Sequence, residues 1–123
     1  MIVKKKTISE HDIQVQVVQW FDMRYKKYSG RLFAIPNGGK RHVVVASKMK
    51  KEGVRSGVPD LFLPVPSGKY HGLFIEMKSA KGRVSIEQSR FLTAVSENDY
   101  SAHICYSADD AIDKIKGYYN LSI

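Results

Sequence analysis

The stretch from Gly57 to Gly82, GVPDLFLPVPSGKYHGLFIEMKSAKG, decides how this chain folds. Two apolar runs, "PDLFLPV" and "YHGLFIEMK", flank a Pro-Ser-Gly-Lys segment, the pattern of two strands joined by a turn. Yet Asp60 opens the first run, and Glu76 and Lys78 close the second. Side chains alternate across a strand, so Glu76 and Lys78 share a face with Phe74 while Met77 points to the other. Antiparallel pairing through a five-residue loop, Pro66 to Tyr70, sets Val65 opposite His71 and Asp60 opposite Glu76. A four-residue loop offsets the pair by one, which a bulge restores. Either way two carboxylates and an ammonium converge.

Outward from this hairpin the punctuation is regular. "SEHDIQVQVVQWFDMRYKKYSG" reads as a helix, with Ser9 as N-cap, Asp12 at N3 and a stripe of Ile13, Val17, Trp20, Phe21 and Arg24, stopped by Gly30. "RLFAIP" is a short strand, "NGGK" a turn, and "RHVVVASKMKKEG" a helix with Gly53 beyond its end. After the central pair come a helix capped by Ser85, the strand "YSAHICYS" and a last helix beginning near Ser107 or Asp109. The order α–β–α–β–β–α–β–α predicts an α/β fold, a mixed sheet with helices packed on it. At 123 residues it is the size of one domain, 1–123.

Bulk properties narrow the function. Lys and Arg number 20 against 12 Asp and Glu, a net charge of +8, which points to a polyanion such as nucleic acid. No apolar run approaches a membrane span, and the three N-terminal lysines precede no signal-type apolar region. The single cysteine, Cys105, permits no internal disulfide, and no Cys/His cluster suggests zinc, so a reducing, cytoplasmic setting is expected. His42, His71 and His103 lack metal-ligand spacing, His11 sits beside Glu10, and Tyr118 and Tyr119 read as packing residues.

The acid pair carries the chemistry. Two adjacent carboxylates repel, and burial worsens the repulsion. A divalent cation resolves it: Mg²⁺ binds through one or two carboxylates plus waters and substrate phosphate, and the Met77 carbonyl adds an oxygen. Lys78 is then free to hold an attacking water or meet charge developing on phosphate. Spacing alone also fits a turn aspartate after proline and an exposed Glu-x-Lys pair. Glu76 at the end of an apolar run, the lysine at +2 and the basic charge favour phosphodiester hydrolysis.

Pro59-Asp60 with Glu76-Met77-Lys78 looks like the PD-(D/E)XK nuclease signature. With "EGVRSGVPDLFLPV", "LFIEMKSAKGRVSIEQSRFL" and "SEHDIQ", the chain resembles the VRR-NUC family of virus-type replication-repair nucleases over about residues 8 to 114. The resemblance implies a restriction-endonuclease-like core and Mg²⁺- or Mn²⁺-dependent endonuclease activity on DNA. It implies that Asp60, Glu76 and the Met77 carbonyl hold the metal, and that Glu10 completes the site with Gln14 beside it. It also implies that Lys78 orients the water and that Gln88 faces the scissile region. Small stand-alone members, mainly of phages and bacteria, are dimeric and similar in arrangement to Holliday-junction resolvases, so a homodimer acting on branched DNA is expected.

Alternatives from the residues alone stay open. Glu10 would also favour its helix N-terminus electrostatically, and Gln14 and Gln88 would suit a polar helix surface. Asn37, Gly38 and Gly39 form either a phosphate-touching loop with Lys40 and Arg41 or a plain turn. Lys51, Arg55 and Lys81 are further candidate DNA contacts near the acids, with Lys48 and Lys50 beside them. An apolar dimer surface would come from "RHVVVA" or "KGYYNLSI". The rival functions are a non-cleaving nucleic-acid-binding module of the same fold and a sequence-specific restriction-type nuclease.

Overall fold

The first helix is built by a stripe at helical spacing and ended by aromatic packing. In the computed structural model, which describes residues 8–36 and 43–120, α1 runs from Glu10 to Arg24. The Ser9 hydroxyl accepts the Asp12 N–H at 3.1 Å, and Ile13, Val17 and Phe21 are buried. The helix ends well before Gly30, against the expected boundary. Tyr25 leaves helical geometry at φ −116° and ψ 68° because its ring packs against Phe21 and Tyr119, at 5.2 and 4.6 Å between centroids. A 3₁₀ turn, Lys26–Tyr28, follows. Asp22 Oδ1 then accepts the Gly30 N–H at 2.9 Å, and Gly30 turns the chain at φ +82°.

Four strands form one mixed sheet in the order β1-β2-β3-β4. They are β1 (Phe33–Ala34), β2 (Leu61–Leu63), β3 (Leu73–Met77) and β4 (Ser101–Cys105). β1–β2 and β2–β3 are antiparallel; β3–β4 is parallel. The expected strand either side of the turn is trimmed, since Pro64 and Pro66 offer no N–H to a ladder.

The hairpin reaches the expected register by a tighter route. Ser67 and Tyr70 exchange two backbone hydrogen bonds, 3.0 and 2.9 Å, around Gly68 (φ +57°) and Lys69. Below them Leu63 pairs with Leu73, Phe62 with Phe74 and Leu61 with Ile75. Residues 64–66 therefore face residues 71–72, an extra residue taken up as a bulge. Continued by one pair, this register sets Asp60 opposite Glu76.

The two faces of the sheet differ. Leu73, Ile75 and Met77 join Ile13, Val17, Phe21, Ala111, Ile115 and Tyr118 in the main core, so α1 and α4 (Ala108–Asn120) pack on this side. Ser107 caps α4 by accepting the Asp110 N–H at 3.0 Å. The opposite face carries Phe62 and Phe74, stacked at 4.3 Å, and is partly covered by α3 (Ile86–Glu97) through Phe91. α2 (Val43–Lys51) forms where the valine-rich segment predicts a helix, but it lies outside the core with Val44 and Val45 exposed. Gly53 follows it at φ +102°. No described helix is long and apolar enough to cross a membrane.

Candidate active site

β3 lies between two neighbours, so even its polar residue is buried. Glu76 is 3% exposed, on the face opposite Met77, whose side chain fills the core. Its carboxylate meets three groups supplied by neighbouring sequence. Gln88 Nε2 donates to Oε1 at 3.0 Å, and Lys78 Nζ stands 3.7 Å from the same oxygen. Asp60, half-buried at the mouth of β2, lies across the strand gap. Oε2 of Glu76 is buried with no hydrogen-bond partner.

Burial first, then the neighbouring Asp60 carboxylate, push Glu76 up to about 8. Lys78 pulls against this, and Glu10 adds to it. A carboxylic acid raised this far holds its proton at neutral pH unless a cation replaces it.

Local folding fixes each participant. Asp60 Oδ2 accepts the Met77 N–H at 2.8 Å, which clamps the aspartate to the neighbouring strand. Gln88 sits at N3 of α3 in a capping box with Ser85: its Oε1 accepts the Ser85 N–H at 2.9 Å, and its N–H reaches Ser85 Oγ at 3.1 Å. The amide is thereby oriented with its nitrogen toward Glu76. Lys78 donates its backbone N–H to the Cys105 carbonyl at 2.9 Å, and its stem is packed beside Gly82, where an added Cβ would come within 3.2 Å of Lys78 Cβ and Cδ.

Glu10 reaches the same end of the sheet from α1, but its Oε1 accepts the Ser79 N–H at 3.1 Å. Among the described residues no group of three or more His, Cys, Asp or Glu side chains is gathered as a metal cluster. The set at hand is an acid pair with a backbone carbonyl and Glu10 in electrostatic range. Gln14 follows one turn later on α1 and is half-buried.

The basic candidates are more scattered. Lys81 is exposed in the loop after Lys78, and Lys51 is exposed at the end of α2. Arg55 is exposed but engaged, its Nη1 donating to the Lys50 carbonyl at 3.0 Å, where it caps α2. Lys40 and Arg41, with the Asn37-Gly38-Gly39 turn, lie outside the described residues.

Three contributors were not singled out from sequence: Ser79, whose N–H holds Glu10, and Gly57 and Gly82. A Cβ on Gly57 would sit 2.6 Å from the Glu87 carbonyl carbon, and Gly57 has φ +89°. This glycine seats the loop leading to Asp60 against the residue before Gln88. Its position three residues before Asp60, and that of Gly82 four after Lys78, were the available signals.

No curated protein sequence matches the chain. A solved structure described as a VRR_NUC domain protein superposes with a TM-score of 0.83 at 26% identity, covering 96% of this chain and 93% of that one. The VRR-NUC domain model matches residues 4–109. The mixed sheet, its flanking helices and that match over most of the 123 residues agree: the chain belongs to the VRR-NUC domain family, with a nuclease-type function and DNA as the partner such a function implies.

Proposed function

We propose that this chain is a divalent-metal-dependent endodeoxyribonuclease, with Asp60, Glu76, Lys78 and Gln88 as its working centre. The observation that carries the reading is Glu76: buried, raised to about 8, flanked by Asp60, with one oxygen unpartnered. The donor set suits Mg²⁺ or Mn²⁺, since a hard cation takes one or two carboxylates and completes its shell with carbonyl, water and phosphate oxygens. Asp60, Glu76 and the Met77 carbonyl would hold the ion, with Glu10 beside them. Bound there, it would supply Lewis-acid polarisation of the scissile phosphate and a lower pKa for the attacking water.

The chain's own groups do the rest. Lys78 cannot be a metal ligand, because an ammonium has no lone pair. Its Nζ, held beside Glu76 Oε1, orients a water for in-line attack on phosphorus and meets negative charge as it develops. Gln88 fixes the rotamer of Glu76 through Nε2 and borders the scissile region on the same face. Gln14 lines that end of α1. Lys51, Arg55 and Lys81, with Lys40 and Arg41, supply sequence-independent phosphate attraction.

The substrate reading is branched DNA, acted on by a homodimer. A C2 pair presents two identical sites, which suits paired incisions in a four-way junction. The net charge of +8 and the exposed Val44 and Val45 support it.

Labelled junction, flap and duplex DNAs incubated with and without Mg²⁺ or Mn²⁺ test the proposal. Cutting is expected only with metal, abolished by chelator, and absent from Glu76→Ala, which still binds DNA. Undiminished cutting by Glu76→Ala sinks the assignment.

A further inference from the structure

A cleft of about 350 Å³ opens at the same end of the sheet as this centre but on the α1 and α4 side, the face opposite Glu76, walled by Ile8, Ile13, Gln16, Ala80, Tyr106 and Asp109 among others. Its walls are chain neighbours of the proposed centre. Ile8 stands two residues before Glu10, and Ala80 two after Lys78. Tyr106 follows Cys105, whose carbonyl accepts the Lys78 N–H at 2.9 Å. Tyr106 and Ile8 are both exposed large apolar side chains, at 43% and 54%, and the core does not require either.

The lining selects the occupant by chemistry. None of the described residues lining the cleft is basic, and the Asp109 carboxylate among them repels a phosphate. A flat neutral group fits better. The Tyr106 ring offers a face for stacking, Ile8, Ile13 and Ala80 offer apolar contact, and Gln16 and Asp109 offer hydrogen-bonding groups to a polar edge. The Tyr106 main chain is tied down, its N–H reaching Asp110 Oδ2 at 3.3 Å at the start of α4.

We infer that this cleft is a binding site for one unpaired nucleobase of the bound DNA, with Tyr106 as its stacking platform. The inference rests on the nuclease reading above and adds the feature that such a cleft would recognise. A duplex with every base stacked cannot fill it, whereas a branch point or a flap junction offers a base that leaves its stack at small cost. Tyr106 would thus bias the enzyme toward distorted DNA without reading sequence.

The test uses a four-way junction carrying 2-aminopurine, moved one position at a time through the nucleotides flanking the cut, with Ca²⁺ in place of Mg²⁺. Bound to the wild-type chain, the probe is expected to show a stacking-dependent emission change at one position. Tyr106→Ala should abolish that change and weaken junction binding by about tenfold, while Tyr106→Phe keeps both. Circular dichroism checks that the exposed substitution leaves the fold intact. Junction binding, probe emission and cutting all unchanged in Tyr106→Ala overturn the cleft alone. Failure of the wild-type chain to bind or cut any DNA overturns the nuclease reading and the cleft with it.

Discussion

Gln88 Nε2 lies 3.0 Å from Glu76 Oε1, and the amide cannot turn away because its own Oε1 is held by the Ser85 N–H. One side chain therefore both starts α3 and presents a donor to the buried acid. Two substitutions separate these roles. Gln88→Ala removes both, and should lower stability by about 1 kcal/mol through loss of the cap and reduce cutting as well. Gln88→Glu keeps a capping-box side chain but turns a carboxylate toward Glu76. Urea denaturation should find Gln88→Glu more stable than Gln88→Ala, while cleavage assays find both impaired. Full activity in Gln88→Glu would show that the donor to Glu76 is dispensable.

The raised Glu76 acid predicts an unusual pH dependence for the metal-free protein. Its folded-state pKa, about 8, lies above the ordinary carboxylate value of 4.5. Between these limits the folded chain retains a proton that the unfolded chain has lost, so stability falls as pH rises through the window. The effect is on the order of a few kcal/mol at most. Thermal melts in chelator from pH 5 to 8 should show this loss, and Glu76→Gln should flatten it. At pH 8, Mg²⁺ or Mn²⁺ should restore melting temperature to the wild-type chain and not to Glu76→Gln.

Lys78 and the acids should fail differently. Lys78→Ala is expected to lose cleavage by about 10²-fold or more, in line with other positioned electrostatic groups, while calorimetry still records Mn²⁺ binding. Loss of Mn²⁺ binding in Lys78→Ala would make the lysine part of the metal site's architecture instead of the water's.

Much of this arrangement was legible because strand alternation is rigid. Glu76 and Lys78 on one face, Met77 on the other, and Asp60 across the gap all follow from a period of two and one register, and the observed pairing of Phe62 with Phe74 keeps that register. Ser85, Ser107 and Gly53 marked helix ends correctly because caps and positive-φ glycines act through local backbone chemistry. Tertiary packing was less legible. The end of α1 is set by the Tyr25 ring against Tyr119 nearly a hundred residues away, and Asp22 takes the Gly30 N–H. The same long-range packing takes two tyrosines of "KGYYNLSI" away from an interface, since Tyr118 is buried in the core and Tyr119 packs against it, while residues 121–123 of that segment lie outside the described residues. Gln88 was singled out, yet its hydrogen bond to Glu76 depends on how α3 docks on the sheet, which no local pattern encodes.

Gly57 and Gly30 form a natural pair of controls. Both have positive φ, +89° and +82°, but a Cβ on Gly57 would strike the Glu87 backbone at 2.6 Å whereas nothing lies within 4 Å at Gly30. Gly30→Ala should therefore lower stability by about 1 kcal/mol through backbone strain alone and leave cutting intact. Gly57→Ala combines strain with collision. It should lower stability by about 3 kcal/mol or more and separate Asp60 from Gln88, so that cutting falls further than stability explains. Denaturant midpoints and single-turnover cleavage above the unfolding threshold measure the two effects. Equal cutting by both variants would remove Gly57 from the site's support.

The dimer prediction follows from symmetry and from the surface that folding leaves uncovered. Resolving a four-way junction takes two incisions on strands related by an approximate two-fold axis, and one small chain offers one centre. Pairing would double the net charge from +8 to +16, strengthening phosphate attraction and its salt dependence. Tyr118 is committed to the core, and among the described residues of the two candidate segments Val44 and Val45 on α2 are the exposed large apolar side chains. Light scattering at micromolar concentration should report about twice the 13.9 kDa chain mass. The double substitution Val44→Asp and Val45→Asp should halve that mass. It should also convert paired incision into single nicks, because each protomer keeps its own acids and lysine. A wild-type monomer at that concentration overturns the dimer, and faster cutting of linear duplex than of a four-way junction overturns the substrate preference while leaving the proposed metal-dependent centre untouched.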